Sequence, residues 1–224
     1  SSQCGSADVL EKLGVTIQLS KSQAEEVAAT IGMVFLFAPL FHPALKNIGS
    51  IRKELGIRTI FNFLGPFISP ASVKRQLIGV PNVDIAEKLS HVGMKLGYEH
   101  LLIVTSEDGM DELTTSAKNV VFEIKNSEVT RFICDPQEYG FKKCSKKDFF
   151  GGTVEQNAII MREILEGMKG ARRDVVILNS AYALYVSGAV GDIPEGIRKA
   201  EHSIDSGAAR GILNSLIRET QKYA

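Results

Sequence analysis

An α/β fold, with a largely parallel central sheet flanked by helices and one antiparallel hairpin at its edge, is what this sequence predicts. Three observations predict it. Continuous apolar runs bounded by Gly or Pro, the signature of strands buried on both faces, recur along the first half of the chain. Between them lie segments whose apolar residues return at helical spacing, so strand and helix alternate as they do in parallel sheets. Later, "NVVFEIKNSEVTRFIC" (119–134) reads as two strands folded about Asn126-Ser127. At 224 residues the chain can bury a substantial core, and the reading assigns residues 1–224 to one α/β domain.

The elements follow in order. Ser6 is positioned to cap a short helix over Ala7–Leu13, stopped by Gly14, and Ser20 to cap a second over Lys21–Ile31, with Ala24, Val27, Ala28 and Ile31 on one face. "MVFLFAP" (33–39) reads as a buried strand. "PALKNIGSIRKELG" (43–56) carries Leu45, Ile48, Ile51 and Leu55 at helical spacing and ends at Gly56. "RTIFNFLGPFISPAS" is a mixed stretch broken by Gly65, Pro66 and Pro70. "RQLIGV" (75–80) is a strand, "VDIAEKLSHVGMKLG" (83–97) a helix closed by Gly97, and "HLLIVTSEDGMDEL" (100–113) a strand running into a polar loop. After the hairpin, two or more helices fill 154–187 and two more fill 194–221.

Composition narrows the function classes. Lys plus Arg and Asp plus Glu number 26 each, so no bulk field favours nucleic acid or an acidic membrane, and any anion must be held by a few local groups. Cys4, Cys134 and Cys144 are an odd number without a Cys-x-x-Cys pair, which argues for reduced thiols in the cytoplasm and against a disulfide framework or a zinc site. No apolar run reaches the length of a membrane span.

Three stretches could carry chemistry. In "GSADVLEKLG", Gly5 and Ser6 at a helix start suit a phosphate, although a plain Ser N-cap needs nothing more. "TSEDGMDEL" places Glu107, Asp108, Asp111 and Glu112 within six residues, and the adjacent Asp111-Glu112 pair suits Mg²⁺, which takes one or two carboxylates and bridges to substrate phosphate; a solvated acidic loop has the same composition. In "FAPLFHPALKNIGSIRKELGIRTIFNFLGP", His42 and Arg52 fall on roughly the same side of one helix, about 15 Å apart by helical rise. Arg52 is either a solvated partner of Lys53 or a fork for a carboxylate. No nucleophile–base set emerges, so no catalytic residue is assigned. Ligands of open α/β sheets sit beyond the carboxyl ends of the strands, where His42 and the Asp111-Glu112 pair are expected to collect.

"GSADVLEKLGV", "FLFAPLFHPALKNI", "IRKELGIRTIFNFLGP", "GMDEL" and "DPQEYGF", in this order and spacing, strongly resemble the anthranilate phosphoribosyltransferase family. The resemblance is specific from Gly5 to about Gly140 and looser through "GGTVEQNAIIMREIL" and "ILNSAYALYVSG". It implies a fold like that of nucleoside phosphorylases and phosphoribosyltransferases. It also implies transfer of the phosphoribosyl group of phosphoribosyl pyrophosphate to anthranilate in tryptophan biosynthesis, with Mg²⁺ as cofactor. Under it, Ser6 would contact phosphate, Asp111 and Glu112 would hold Mg²⁺, Arg52 would grip the anthranilate carboxylate, and His42 and Pro66 would line the anthranilate channel. Family members carry a helical segment, a Gly-Thr-Gly-Gly-Asp loop and a Lys-His-Gly-Asn motif ahead of this point, so the chain is expected to be a C-terminal portion, inactive alone, of a homodimeric protein. Gln3 and Cys4 stand where the family has Lys and Ser. The competing readings are a non-catalytic relative that binds nucleic acid or another ligand, and a pyrimidine nucleoside phosphorylase.

Overall fold

A computed structural model describes residues 4–42 and 65–224. They divide into two compact units, one drawn from 1–64, 151–167 and 204–224, the other from 65–150 and 168–203.

The first unit is helical: α1 (Ser6–Leu13), α2 (Lys21–Ile31), α3 (Ala38–Phe41), α5 (Val154–Leu165) and α8 (Ala208–Gln221). Its helix starts are written locally. Ser20 accepts from the Gln23 amide while the Gln23 side chain accepts from the Ser20 amide, and Thr153 and Gln156 do the same for α5. Leu13, Val15, Ile17, Leu19, Val27 and Leu216 are buried together at the centre. The start of α1 corrects the sequence reading by one residue. Gly5 is the N-cap, its amide donates to Asp8 Oδ2 at 3.0 Å, and Ser6 is the first helical residue with no capping bond of its own.

The apolar run 33–39 is also corrected. Residues 33–37 have no regular structure, and Ala38–Phe41 form one helical turn with Pro39 in it. Val34, Phe35, Leu36 and Phe37 are half-buried against the helical core rather than paired in a sheet. A short apolar run is equally good at covering a helical core, and periodicity alone does not separate the two. The segment 43–64, with the helix read over 43–56, lies outside the described residues.

The second unit holds β1 (Arg75–Gly79), α4 (Val83–Lys95), β2 (His100–Ser106), β3 (Asn119–Lys125), β4 (Glu128–Cys134), α6 (Ala171–Ser187) and most of α7 (Ile193–Asp205). The sheet order is β1-β2-β3-β4. Leu101 and Ile103 of β2, with Ile78 and Phe122, form one buried layer that includes Ala86 of α4. Leu102, Val104 and Val121 form another with Leu178, Tyr182 and Val186 of α6. A strand covered on both faces reads as an unbroken apolar run, as "LLIV" (101–104) does.

The α/β class stands, while the expectation of a largely parallel sheet does not hold among the described residues. Only β1 and β2 are parallel, joined through α4; β2–β3 and β3–β4 are antiparallel. Among the described residues the hairpin pairs directly with β2 and supplies two of the sheet's four strands. Its turn was legible: Asn126 and Ser127 both adopt left-handed backbone, at φ 52° and 61°, as a two-residue hairpin turn of this kind requires.

Candidate functional site

The segment between β2 and β3 carries the acidic loop, and a hydrogen-bond network centred on Asp108 and Thr114 holds part of it. The Ser106 amide donates to Met110 O at 3.0 Å, and the Met110 amide to Asp108 Oδ1 at 3.2 Å. The Asp108 carboxylate also accepts from the hydroxyls of Ser116 and Thr114, and Lys146 Nζ donates to its backbone oxygen at 2.8 Å. Burial works to raise the Asp108 pKa, but the Ser116 and Ser106 hydroxyls, the Met110 amide and the Lys146 charge outweigh it and hold the group below its usual value. On the far side, buried Asn119 accepts from the Thr114 amide at 2.8 Å and donates to Thr114 O at 3.0 Å. Asp108 is therefore a structural member of the loop, and Asn119, at the start of β3, anchors it.

Asp111 and Glu112 differ from these neighbours. Both are exposed, and among the described residues neither carboxylate accepts a hydrogen bond or joins an ion pair. Glu112 is raised above its ordinary value, first by the protein packed around its carboxyl and then by the charges of Asp111 and Asp108. Two adjacent, mutually repelling carboxylates with free lone pairs fit a hard divalent ion that completes its shell with water and phosphate. They do not form an all-protein cage: among the described residues no three His, Cys, Asp or Glu side chains group to hold a metal.

The backbone of this pair is tightly placed. A Cβ on Gly79, the last residue of β1, would come 1.5 Å from Asp111 O and 2.7 Å from Asp111 C. Asp111 thus crosses the carboxyl end of β1, the sheet edge where ligands of α/β folds collect. Pro66 is fastened to the same strand, in a 3₁₀ turn over Gly65–Ile68. Its carbonyl accepts from Gln76 Nε2 at 2.9 Å, and Gln76 Oε1 accepts from the Tyr98 hydroxyl at 2.9 Å. Phe67 meets Tyr98 edge-on at 6.1 Å. Gln76 and Gly79 are three residues apart, so these two attachments are separated by about 10 Å along β1.

The remaining residues singled out in the sequence lie elsewhere. Ser6 is exposed in the first turn of α1, and half-buried His42 ends α3, its amide donating to Ala38 O at 3.0 Å; both belong to the first unit. Arg52 lies outside the described residues. A cavity of about 480 Å³ lined by Tyr139, Phe141, Lys142, Asp174, Ile197 and Glu201 contains none of the candidate site residues, although Tyr139 and Phe141 come from the "DPQEYGF" stretch.

A family model described as "Glycosyl transferase family, a/b domain" matches residues 1–210. The chain belongs to this glycosyl transferase family. Among curated members, the anthranilate phosphoribosyltransferase of Acetivibrio thermocellus is 45% identical over 223 residues, covering 100% of this chain and 65% of the relative. The chain thus spans slightly under two thirds of that relative's length. Among solved structures, anthranilate phosphoribosyltransferase from Thermus thermophilus superposes with a TM-score of 0.91 at 32% identity, over 98% of this chain and 65% of the other. The Saccharomyces cerevisiae enzyme in complex with PRPP and Mg gives 0.90 at 28% identity, over 97% and 63%. The family match accounts for the α/β fold. Among the described residues, no helix is long and apolar enough to cross a membrane.

Sequence reasoning missed Gly79, Asn119 and, from α6, Asn179, whose side chain bonds the backbone of Leu113, as supports of the acidic loop, and Gln76 as the fastener of Pro66 to β1. A glycine inside a strand pattern is a sign of close backbone approach, so Gly79 carried a usable signal.

Proposed function

We propose that the protein containing this chain transfers the phosphoribosyl group of phosphoribosyl pyrophosphate to anthranilate, yielding N-(5-phosphoribosyl)anthranilate and pyrophosphate, a step of tryptophan biosynthesis. The observation that carries this reading is the exposed Asp111-Glu112 pair at the carboxyl end of β1, without a partner among the described residues, in a chain whose relatives bear the name of that enzyme. The C1′–oxygen bond to pyrophosphate breaks, the amine nitrogen bonds to C1′, and the amine gives up a proton.

Each residue then has a task set by its chemistry. Asp111 and Glu112 would hold Mg²⁺, which when bound neutralises charge on the departing pyrophosphate. Ser6 would donate its hydroxyl to a phosphate oxygen near the start of α1, where the dipole favours an anion. The Arg52 guanidinium would pair with the anthranilate carboxylate, and His42 and Pro66 would line the path of the aromatic ring. A neutral aromatic amine is already nucleophilic, so aiming it and excluding water suffice, and no residue is assigned as a base. Residues 1–224 would act as one catalytic domain of a homodimer, binding neither nucleic acid nor membrane. Reduced Cys4, Cys134 and Cys144, all free thiols, suit the cytoplasm.

The test is product formation by the full-length protein with anthranilate, phosphoribosyl pyrophosphate and Mg²⁺, followed by mass spectrometry. Asp111→Asn combined with Glu112→Gln is expected to lower turnover by roughly 100-fold, the scale of losing a preorganised charge-stabilising group. Absence of product from the unmodified protein, or an unchanged Mg²⁺ requirement in the double variant, overturns the reading.

A further inference from the structure

The aim of Asp111 and Glu112 has to come from the backbone, because neither side chain touches a protein donor among the described residues. On one side that backbone rests on Gly79. On the other it enters Leu113, which is fully buried with Leu178 and Tyr182 of α6. Burying Leu113 strands its own amide and carbonyl away from water, and both need partners. One side chain supplies them. Asn179 Oδ1 accepts from the Leu113 amide at 3.1 Å, and Asn179 Nδ2 donates to Leu113 O at 2.7 Å and to Val175 O at 2.9 Å.

The residue type matters. Asn is a poor helix former, yet Asn179 sits well inside the 17-residue α6. Of the uncharged side chains, only a carboxamide offers a donor and an acceptor side by side, the match for the two backbone groups of a single residue. Ser or Thr would have to donate and accept through one oxygen, without the two side-by-side atoms that span both groups of a residue, and Asp would add charge beside two carboxylates.

We infer that Asn179 is a positioning residue for the divalent-ion site: by clamping both backbone groups of Leu113 it sets where the adjoining Asp111 and Glu112 carboxylates point. The inference rests on the reading of those two carboxylates as metal holders. Asn179 itself touches neither metal nor substrate. Its contribution is that of an outer partner, whose loss in metal sites typically weakens binding by about 10- to 100-fold.

The experiment is a Mn²⁺ titration of the full-length protein without substrates, following free Mn²⁺ by electron paramagnetic resonance. Asp111→Asn marks the site-specific component. Asn179→Leu keeps the shape and removes both clamp bonds; Asn179→Ala removes them without risk of a clash, so a folded variant is at hand if one of the two is unstable. Thermal melts confirm folding. The expected result is at least a tenfold weaker Mn²⁺ dissociation constant in the Asn179 variants, a raised Mg²⁺ requirement for turnover, and an anthranilate KM within about twofold of the unmodified protein. Variants that melt earlier but bind Mn²⁺ as the unmodified protein does would show a purely structural role and overturn the inference alone. If the unmodified protein shows no Mn²⁺ binding that Asp111→Asn removes, the metal-site reading falls and the inference with it.

Discussion

The carbonyl oxygen of Asp111 occupies the space that a side chain on Gly79 would need, with 1.5 Å between it and an ideal Cβ position. Because the obstructing atom is backbone, no rotamer change can relieve the overlap. Gly79→Ala must therefore move β1, the acidic loop or both. Overpacking of this kind costs about 1–3 kcal/mol, and here the displaced atoms carry the two exposed carboxylates. The expected outcome is a lower urea midpoint together with weaker Mn²⁺ binding. A Gly79→Ala protein matching the unmodified one in both measurements would show that the loop has slack at this point.

Arg52 gives a prediction that separates the two substrates. In the proposed function it pairs with the carboxylate of anthranilate, a group that phosphoribosyl pyrophosphate lacks. A charge-assisted hydrogen bond contributes about 1.5–3 kcal/mol, so Arg52→Ala should raise the anthranilate KM by roughly 10- to 100-fold. The KM for phosphoribosyl pyrophosphate should change far less. Equal losses for both substrates in steady-state kinetics would remove Arg52 from the carboxylate.

The helix starts of the first unit offer a measure of stability independent of the chemistry. Thr153 accepts from the Gln156 amide at 3.3 Å, and its own amide donates to Gln156 Oε1 at 2.9 Å. Thr153→Ala removes the first bond and is expected to cost about 1 kcal/mol, while Thr153→Ser retains it. Chemical unfolding of both variants checks this; equal destabilisation by Ala and Ser would assign the effect to packing of the Thr methyl.

Features that rest on neighbouring residues were legible in the sequence. Ser20 and Gln23 announce a helix start three residues apart, and Asn126-Ser127 announces a hairpin because few residue pairs tolerate two left-handed conformations in succession. The run 33–39 was not legible, since an apolar segment reports that it will be buried and not what it will be buried against. The acidic loop shows both sides of this boundary. Its carboxylates could be picked out by type and spacing, but their support comes from Gly79 and from Asn179, the latter 66 residues from Leu113, and such contacts exist only once the sheet and α6 are in place. A mid-helix Asn and a strand Gly stand out against local propensity, but propensity does not say which distant backbone each will meet.

His100 ties stability to pH. It is 2% exposed on β2, with Nε2 2.7 Å from Glu123 Oε1, and the Tyr185 hydroxyl donates to the same oxygen at 2.9 Å. Its ring meets Tyr185 edge-on at 5.1 Å. Burial pushes the His100 pKa down; the hydrogen bond and charge of Glu123 pull it up without overcoming that push, and the charges of Lys125 and Arg75 add to the lowering. In the unfolded chain this histidine binds a proton near its ordinary value of about 6.5, whereas the folded protein takes it up only at lower pH. Over that interval the unfolded state holds more protons, so stability rises with pH and is lost on acidification. One such group contributes a slope of at most about 1.4 kcal/mol per pH unit. His100→Gln retains a donor for Glu123 and cannot titrate, so it should flatten the dependence measured by urea unfolding between about pH 5.5 and 7.5. Parallel curves for the two proteins would place the acid sensitivity at another group.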